Sequence, residues 1–452
     1  MKILKRVFLC VVVFTILLGC VLPASAKTPH ESVQQAVLTH ADVQSMIHAF
    51  YASGKEQEAA EGAYQPRIDI SASVGWEDLS GSGYSAQDRG SYFRKGVYLL
   101  LNQMIYDGEQ TRNKVRKMGH TRISKYYDLH GAMDKVALLA FRSHVDVARY
   151  REMLKLAREN LERHGEIAKL VEERASAGLD SAIDREVVQG RLALAEVNFL
   201  TEESNLHDAN TQYYRTVGVN PDELMEFEPL DYTPIKEEEE IIVGYLASNS
   251  RWLAARENVA AARYSVREQE GSLKPRLDLR AGYNLTDNEQ DRGRRDRAFV
   301  ELAMRYNLYD GGTERATLER FEEIYKQSEE VFKKTEQDIR QSLLIAYNEF
   351  HATELQLVHL KQHQDSSEAM EKAYRQQFEV GRRSLLDLLD AQNEHYQAKR
   401  AYRNSLYKLE TAKVTYLAES GGILRFFNVL RDDIPDVNSL DPATSRLRKV
   451  KQ

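Results

Sequence analysis

From Thr313 onward apolar residues return every three or four positions: Leu318, Phe321, Tyr325, Ser328, Phe332, Thr335, Ile339, Ser342 and Ala346 form one stripe with small residues interleaved, and Ile324 and Val331 begin a second. That is the period of an α-helix with neighbours on two sides. Nothing in the sequence stops it early. Thr313 to Val380 contains neither Gly nor Pro, and Arg382 to Ser420 contains neither, so two uninterrupted helices meet at Gly381, the one residue between them suited to a left-handed turn. The pattern predicts a helical hairpin whose first arm, at ~1.5 Å per residue, would reach about 100 Å. The return arm covers little more than half of that, so the hairpin belongs to something elongated.

Upstream of the hairpin the period changes to two. After Pro275, Leu277, Leu279, Ala281, Tyr283 and Leu285 alternate with Asp278, Arg280, Gly282, Asn284 and Thr286, and Val300, Leu302, Met304, Tyr306 and Leu308 alternate with Glu301, Ala303, Arg305 and Asn307. Ile68, Ile70, Ala72, Val74 and Trp76 do the same against Asp69, Ser71, Ser73, Gly75 and Glu77, whereas Val97 to Ile105 alternates poorly. Strands apolar on one face and charged on the other fit a wall between lipid and a wet lumen; a soluble hairpin would need a core to pack on, and no other element offers one. Four strands cannot close a barrel, and lipid does not tolerate open edges, so closure demands several chains.

The two patterns belong to one repeated unit. Tyr106-Asp107-Gly108 recurs as Tyr309-Asp310-Gly311, followed by Gly312, at an offset of 203 (309 − 106). Asp88-Arg89-Gly90, Gly178, Ser181 and Asp184 recur at the same offset as Asp291-Arg292-Gly293, Gly381, Ser384 and Asp387. Pro66-Arg67-Ile68-Asp69 matches Pro275-Arg276-Leu277-Asp278 at 209 (275 − 66), which places six extra residues in the Gly/Ser-rich run Asp78 to Ala86 and marks that run as a surface loop. Prolines fall only at borders. The expected organisation is a first repeat over 27–217, with a leading helix at Ala41 to Glu61, a strand pair over 66–105 and a helical tip near Gly178. A second repeat over 250–427 has its leading helix at Ser250 to Gly271, its strand pair over 275–309 and its tip near Gly381. Between them 218–249, with Pro221, Pro229, Pro234 and the acidic run Glu237 to Glu240, is a joint, and 428–452 is an irregular tail. Gly119, Gly131 and Gly165 interrupt the first long helix where the second has none.

Composition narrows the class. With 452 residues, a net charge of -7, 42% hydrophobic and 29% charged residues, the chain is no polytopic helical membrane protein and no nucleic-acid binder. Lys2, Lys5 and Arg6 precede an apolar stretch from Val7 to Leu22, and Ala24-Ser25-Ala26 before Lys27 has the form of a signal-peptidase site, so residues 1–26 read as a signal peptide. Leu17-Leu18-Gly19-Cys20 offers a rival, lipidating cleavage. Cys10 and Cys20 are the only cysteines, so ordinary cleavage leaves neither thiol nor disulfide.

The chain resembles the TolC family of outer-membrane export channels. The resemblance is carried by Tyr309-Asp310-Gly311-Gly312 at the strand-to-helix turn, by Pro275-Arg276-Leu277-Asp278-Leu279 entering the strands, and by Gly381 through Asp390-Ala391-Gln392 at the tip, and it covers roughly Glu31 to Leu424 in both repeats. It implies a mainly α protein with membrane β: a homotrimer whose antiparallel hairpins form an α-barrel across the periplasm and whose strands, four per chain, form one 12-stranded barrel among outer-membrane lipid. It implies as partners a periplasmic adaptor and an inner-membrane ABC or proton-driven transporter, with 218–249 as an equatorial segment. Gln392-Asn393-Glu394 resembles the members serving type I protein secretion more than those serving drug or metal efflux.

Carried over residue by residue, Asp387 and Asp390 are the carboxylates of the periplasmic aperture, one turn apart, and three chains would crowd six of them around a narrow axis and attract cations. The plainer alternative is that Asp387 only opens its helix, as Asp184 does in the first repeat. Arg383 is the family's latch to the other hairpin, with Asp184 as its acceptor; Phe378, which lacks a hydroxyl, and Ile183 depart from the pattern there. Gly178 and Gly381 are the tip turns, and Asp107, Gly108, Asp310, Gly311 and Gly312 the strand-to-helix turns. Cofactors and metals are not called for: His359 and His363 are four apart on a helix but have no third ligand, and no HExxH, GxSxG or GxxxxGK motif is present, so no enzyme is expected. Arg292, Arg294, Arg295 and Arg297 read as a basic loop, either solvated or facing the anionic outer leaflet. A periplasmic coiled-coil adaptor would lack the strands that precede both hairpins.

Overall fold

A computed structural model of the chain describes residues 28–80, 90–176, 181–221, 227, 229–234, 244–288, 293–429 and 431–447. The expected signal peptide, the Gly178 tip, Asp88-Arg89 and Asp291-Arg292, and most of the run Asp78 to Ala86 lie outside the described residues. In chain order the elements are α1 (Pro29–Thr39), α2 (Ala41–Glu61), β1 (Arg67–Leu79), β2 (Gly90–Tyr106), α3 (Gln110–Ser176), α4 (Ala182–Val217), α5 (Ser250–Ser272), β3 (Arg276–Asn288), β4 (Gly293–Arg305), α6 (Thr313–Glu379), α7 (Leu385–Glu419) and the short α8 (Ile423–Phe426). The fold is mostly helical with one antiparallel sheet. Both long helices have 67 residues, and they start and end 203 positions apart (313 − 110 and 379 − 176), as do the starts of the returning helices (385 − 182). Gly119, Gly131 and Gly165 leave α3 unbroken, each costing about 1 kcal/mol of propensity that packing must offset.

Helix α1 was not foreseen, although its start is written in the sequence. Thr28 accepts from the Glu31 amide while the Glu31 carboxylate accepts from the Thr28 amide, a reciprocal cap with Pro29 in the first turn.

The chain divides into two compact units, and neither is a repeat: one gathers 1–41, 133–236 and 343–430, the other 42–132, 237–342 and 431–452, so each draws on both repeats.

In the second of these units the strands run in the order β1-β2-β3-β4, all antiparallel. Because residues directly opposite one another share a face, the register sorts the side chains. Ile68, Leu101, Ala281 and Val300 stand in one row, and Ile70, Leu99, Tyr283 and Ala298 in the next, building an apolar face that remains exposed; Ile70, Val74, Trp76 and Val300 are all more than 70% accessible. The opposite face carries rows such as Arg67, Asn102, Arg280 and Glu301. The poor alternation of β2 has two local causes. Leu100 lies on the polar face opposite Asp69 and Gly282, and the register slips between Met104 and Tyr106. Arg294, Arg295 and Arg297 correct the reading of a basic loop: they are residues of β4, and the pleat sends Arg294 to the apolar side, bonded to Asp296, and Arg297 to the polar side.

The tail of the same unit is irregular apart from a 3-10 turn at Val437–Ser439 and a bridge between Asp441 and Thr444, yet it is docked. Ser445 donates through its amide and its hydroxyl to Glu61, Arg122 donates to the Ser445 carbonyl at 3.0 Å, and Gln57 reaches the Asp441 carbonyl at 3.2 Å. Gly119, without an evident purpose in the sequence, lies beneath Pro442 where a Cβ would stand 2.2 Å from its carbonyl oxygen.

In the other unit α1 is tied down at a buried polar node, where Ser32 Oγ bonds Tyr213 OH at 2.8 Å and His144 Nδ1 at 3.0 Å. Burial pushes His144 down to about 4, with the charge of Arg151 adding to the effect, so the ring is neutral at pH 7. Described residues of the joint pack here too: the Leu230 amide donates to Glu410 at 2.9 Å and Arg151 donates to the Pro221 carbonyl at 2.6 Å.

Candidate functional site

Helix α6 ends because Gly381 adopts φ 73°, a conformation only a residue without Cβ takes freely. The Arg382 amide then bonds the Gln377 carbonyl at 2.8 Å and the Gly381 amide bonds Phe378 at 2.9 Å, satisfying carbonyls the helix end would leave bare. Three residues later Ser384 caps α7: its hydroxyl accepts from the Asp387 amide at 3.2 Å and donates to the Asp387 carboxylate at 2.9 Å. The first repeat does the same with Ser181 and Asp184, whose carboxyl is held below its usual range by the hydrogen bonds from the Ser181 hydroxyl and amide.

In the conformation described, the expected latch is not formed. Arg383 does not pair with Asp184 among the described residues; its Nε donates to Gln377 at 3.0 Å, its guanidinium lies 4.3 Å from the centre of the Tyr374 ring, and its charge faces Asp387 of its own hairpin at 3.7 Å. Asp184 is occupied by Ser181. Each partner has a local bond close in sequence, and a local bond costs less chain ordering than a distant one.

Close to the tips, what joins the two hairpins is mainly apolar. Ile167, Val171 and Val188 pack with Phe378, Leu385, Leu388 and Leu389, and Arg174 lies 5.0 Å from the centre of the Phe378 ring. Phe378 is therefore core rather than a failed latch residue, and it gains from having no hydroxyl to satisfy. Ile183 is 74% exposed and takes no part. Nearest the tips an ion pair crosses between hairpins from Arg191 to Asp390, at 2.8 Å, and Arg185 pairs with Glu172 at 2.8 Å within the first. Sequence reasoning missed Arg191, because nothing in its spacing marks it; the pairing follows from how α4 and α7 lie together. Farther along, Lys399 meets Glu159 at 2.9 Å, Arg400 meets Glu202, and His363 meets Glu394 at 3.3 Å.

In the unit that holds the sheet, the strand-to-helix turns are caps. Asp107 accepts from the Thr111 amide at 2.9 Å and its hydroxyl at 2.5 Å, and Gly108, at φ 70°, lets the turn pass so close to α5 that a Cβ would lie 2.4 Å from the Gly271 carbonyl. Asp310 accepts from the amides of Glu314 at 2.6 Å and Gly312 at 2.9 Å, bonds that hold its carboxyl below the usual range. Gly311 and Gly312, at φ 74° and 88°, have open space about them. Among the described residues no three His, Cys, Asp or Glu gather as metal ligands, and no helix is long and apolar enough to cross a membrane.

Residues 32–219 and 242–421 match the outer membrane efflux protein family. Outer membrane efflux protein BepC of Brucella suis is 23% identical over 337 residues, 74% of this chain and 72% of the relative. Proteases secretion protein PrtF of Dickeya chrysanthemi is 26% identical over 249 residues, 52% of each. The solved CmeC outer membrane channel of Campylobacter jejuni shares the fold, with a TM-score of 0.77 at 14% identity over 87% of this chain and 85% of that one.

Proposed function

The chain belongs to the outer membrane efflux protein family, and as the outer-membrane channel of a tripartite export system it leads us to propose that three copies close one conduit. In this reading each copy lends its four strands to a shared barrel and its hairpins to a tunnel entered from the periplasm. The observation that carries it is the sheet: its apolar face is exposed over its whole width, and β1 and β4 present unpaired edges that lipid does not allow. The two repeats, 27–217 and 250–427, supply one strand pair and one hairpin each.

The hairpin ends meet an adaptor protein and an inner-membrane transporter, of ABC or proton-driven type, that delivers protein or small-molecule cargo. Asp387 and Asp390 line the aperture there, and in the conformation described above Arg383 and Arg191 hold them in check. The expected outcome in mild detergent is a single species of three protomer masses, measured by light scattering with the detergent subtracted. A folded, monodisperse monomer would overturn the reading.

A further inference from the structure

The polar face of the sheet is not evenly charged. Four carboxylates stand on it, and each has its own guanidinium: Asp69 with Arg67 at 3.0 Å, Glu77 with Arg94 at 3.4 Å, Asp278 with Arg276 at 3.0 Å and Glu301 with Arg280 at 3.9 Å. Three further arginines stand on the same face, Arg295, Arg297 and Arg305, and of these Arg297 and Arg305 have no carboxylate partner among the described residues. Arg297 ends a row otherwise made of Ser71, Tyr98 and Asn284, and its guanidinium lies 5.9 Å from the centre of the Phe299 ring. Arg305 stands directly opposite Arg276, a like-charge placement that costs stability unless something negative lies nearby. Asp278 is spent on Arg276 and its side chain is only 6% exposed, so it leaves little charge for Arg305.

If the apolar face meets lipid, this face lines the water. Both arginines are exposed and sit on the edge strand β4. Pairing of β4 with the β1 of a neighbouring copy could redistribute partners, but it cannot change the sum, because Asp69 and Glu77 arrive with Arg67 and Arg94. A narrow lumen with low-dielectric walls focuses such an excess and raises the local concentration of the opposite charge.

We propose that the sheet lining is an anion-attracting stretch of the conduit that favours polyanionic cargo, opposite in sign to the carboxylates at the hairpin ends. This rests on the trimeric reading above. The test uses the assembled channel in a planar bilayer, with inositol hexakisphosphate as the probe, added to either chamber in turn. Block is expected from the barrel side, at concentrations at least ~10-fold lower than for the double variant Arg297→Gln, Arg305→Gln, as loss of focused charge predicts.

The double Lys variant should retain the block, which separates charge from fold, and Asp387→Ala with Asp390→Ala should leave it in place. Equal barrel-side block in the wild type and in a Gln variant of unchanged oligomeric mass overturns the proposal. If the Gln variant does not assemble, loss of block in the Lys variant, with its charges intact, does so instead. A chain that gives neither oligomer nor conductance overturns the trimeric reading, and this one with it.

Discussion

At Gly119 the helix has room for no side chain, and the reason is Pro442, more than three hundred residues away. Replacing it by Val forces the Pro442 backbone off α3 at a cost of about 1–3 kcal/mol. The expected result is a lowered Tm together with faster hydrogen exchange over 436–447, while the sheet stays protected; unchanged exchange there would show that the tail is held without this contact. The glycine was visible in the sequence and its role was not, because its partner is distant and irregular. His144 gives the second residue-scale prediction. A buried ring with its pKa depressed from 6.5 to about 4 binds its proton more weakly folded than unfolded. Stability from this group is therefore complete above 6.5 and falls away as the pH drops towards 4, by up to about 3 kcal/mol. Thermal melts across that window should show a flatter pH dependence in His144→Gln than in the wild type; equal slopes would mean that the ring is solvated.

The hairpin ends act as elements. Their turn chemistry was legible in full in the second repeat, since Gly381, Ser384 and Asp387 are local signals, and the pairing between hairpins was not, since Arg191 and Asp390 meet only after α4 and α7 pack. The pair is partly exposed, with Asp390 at 59% and Arg191 at 32%, so a double-mutant cycle should give only about 0–1 kcal/mol of coupling. Its effect on current should be larger than its effect on stability. Arg191→Gln releases Asp390 and is expected to raise cation preference, while Asp387→Ala with Asp390→Ala lowers it, both read from reversal potentials in a salt gradient. If neither variant moves the reversal potential, these carboxylates do not face the conducting path. The strands taught a complementary lesson: β1, β3 and β4 announced themselves by alternation, whereas β2 was placed as the partner of β1 although one leucine and one register slip blur its pattern.

For the molecule as a whole, the repeat was legible and the compact units were not, because a repeat is a property of sequence order whereas each unit assembles ends of both repeats. The open edges lead to a test of closure. Within one chain β1 and β4 are separated by β2 and β3, roughly 14 Å at the usual strand spacing, too far for a disulfide. Cys10 and Cys20 are the only cysteines, so in a Cys10→Ser, Cys20→Ser background a cysteine pair, one scanned along Ile68 to Val74 and one along Val300 to Met304, reports contacts between copies alone. Oxidation should give a ladder ending at three protomers. Monomer at every tested pair would remove the shared barrel.

The docked tail has a consequence in time rather than in space. Glu61 and Arg122 are synthesised more than three hundred residues before their partner Ser445. Until Ser445 follows, the Glu61 carboxylate lacks that partner, Arg122 has only the Gln57 side chain at 3.3 Å, and the groove at Gly119 is uncovered. A chain cut short before Ser445 leaves that seam open, where quality-control proteases can enter. Docking of Ser445 thus comes late in synthesis, and it is the step that closes the seam over α2 and α3.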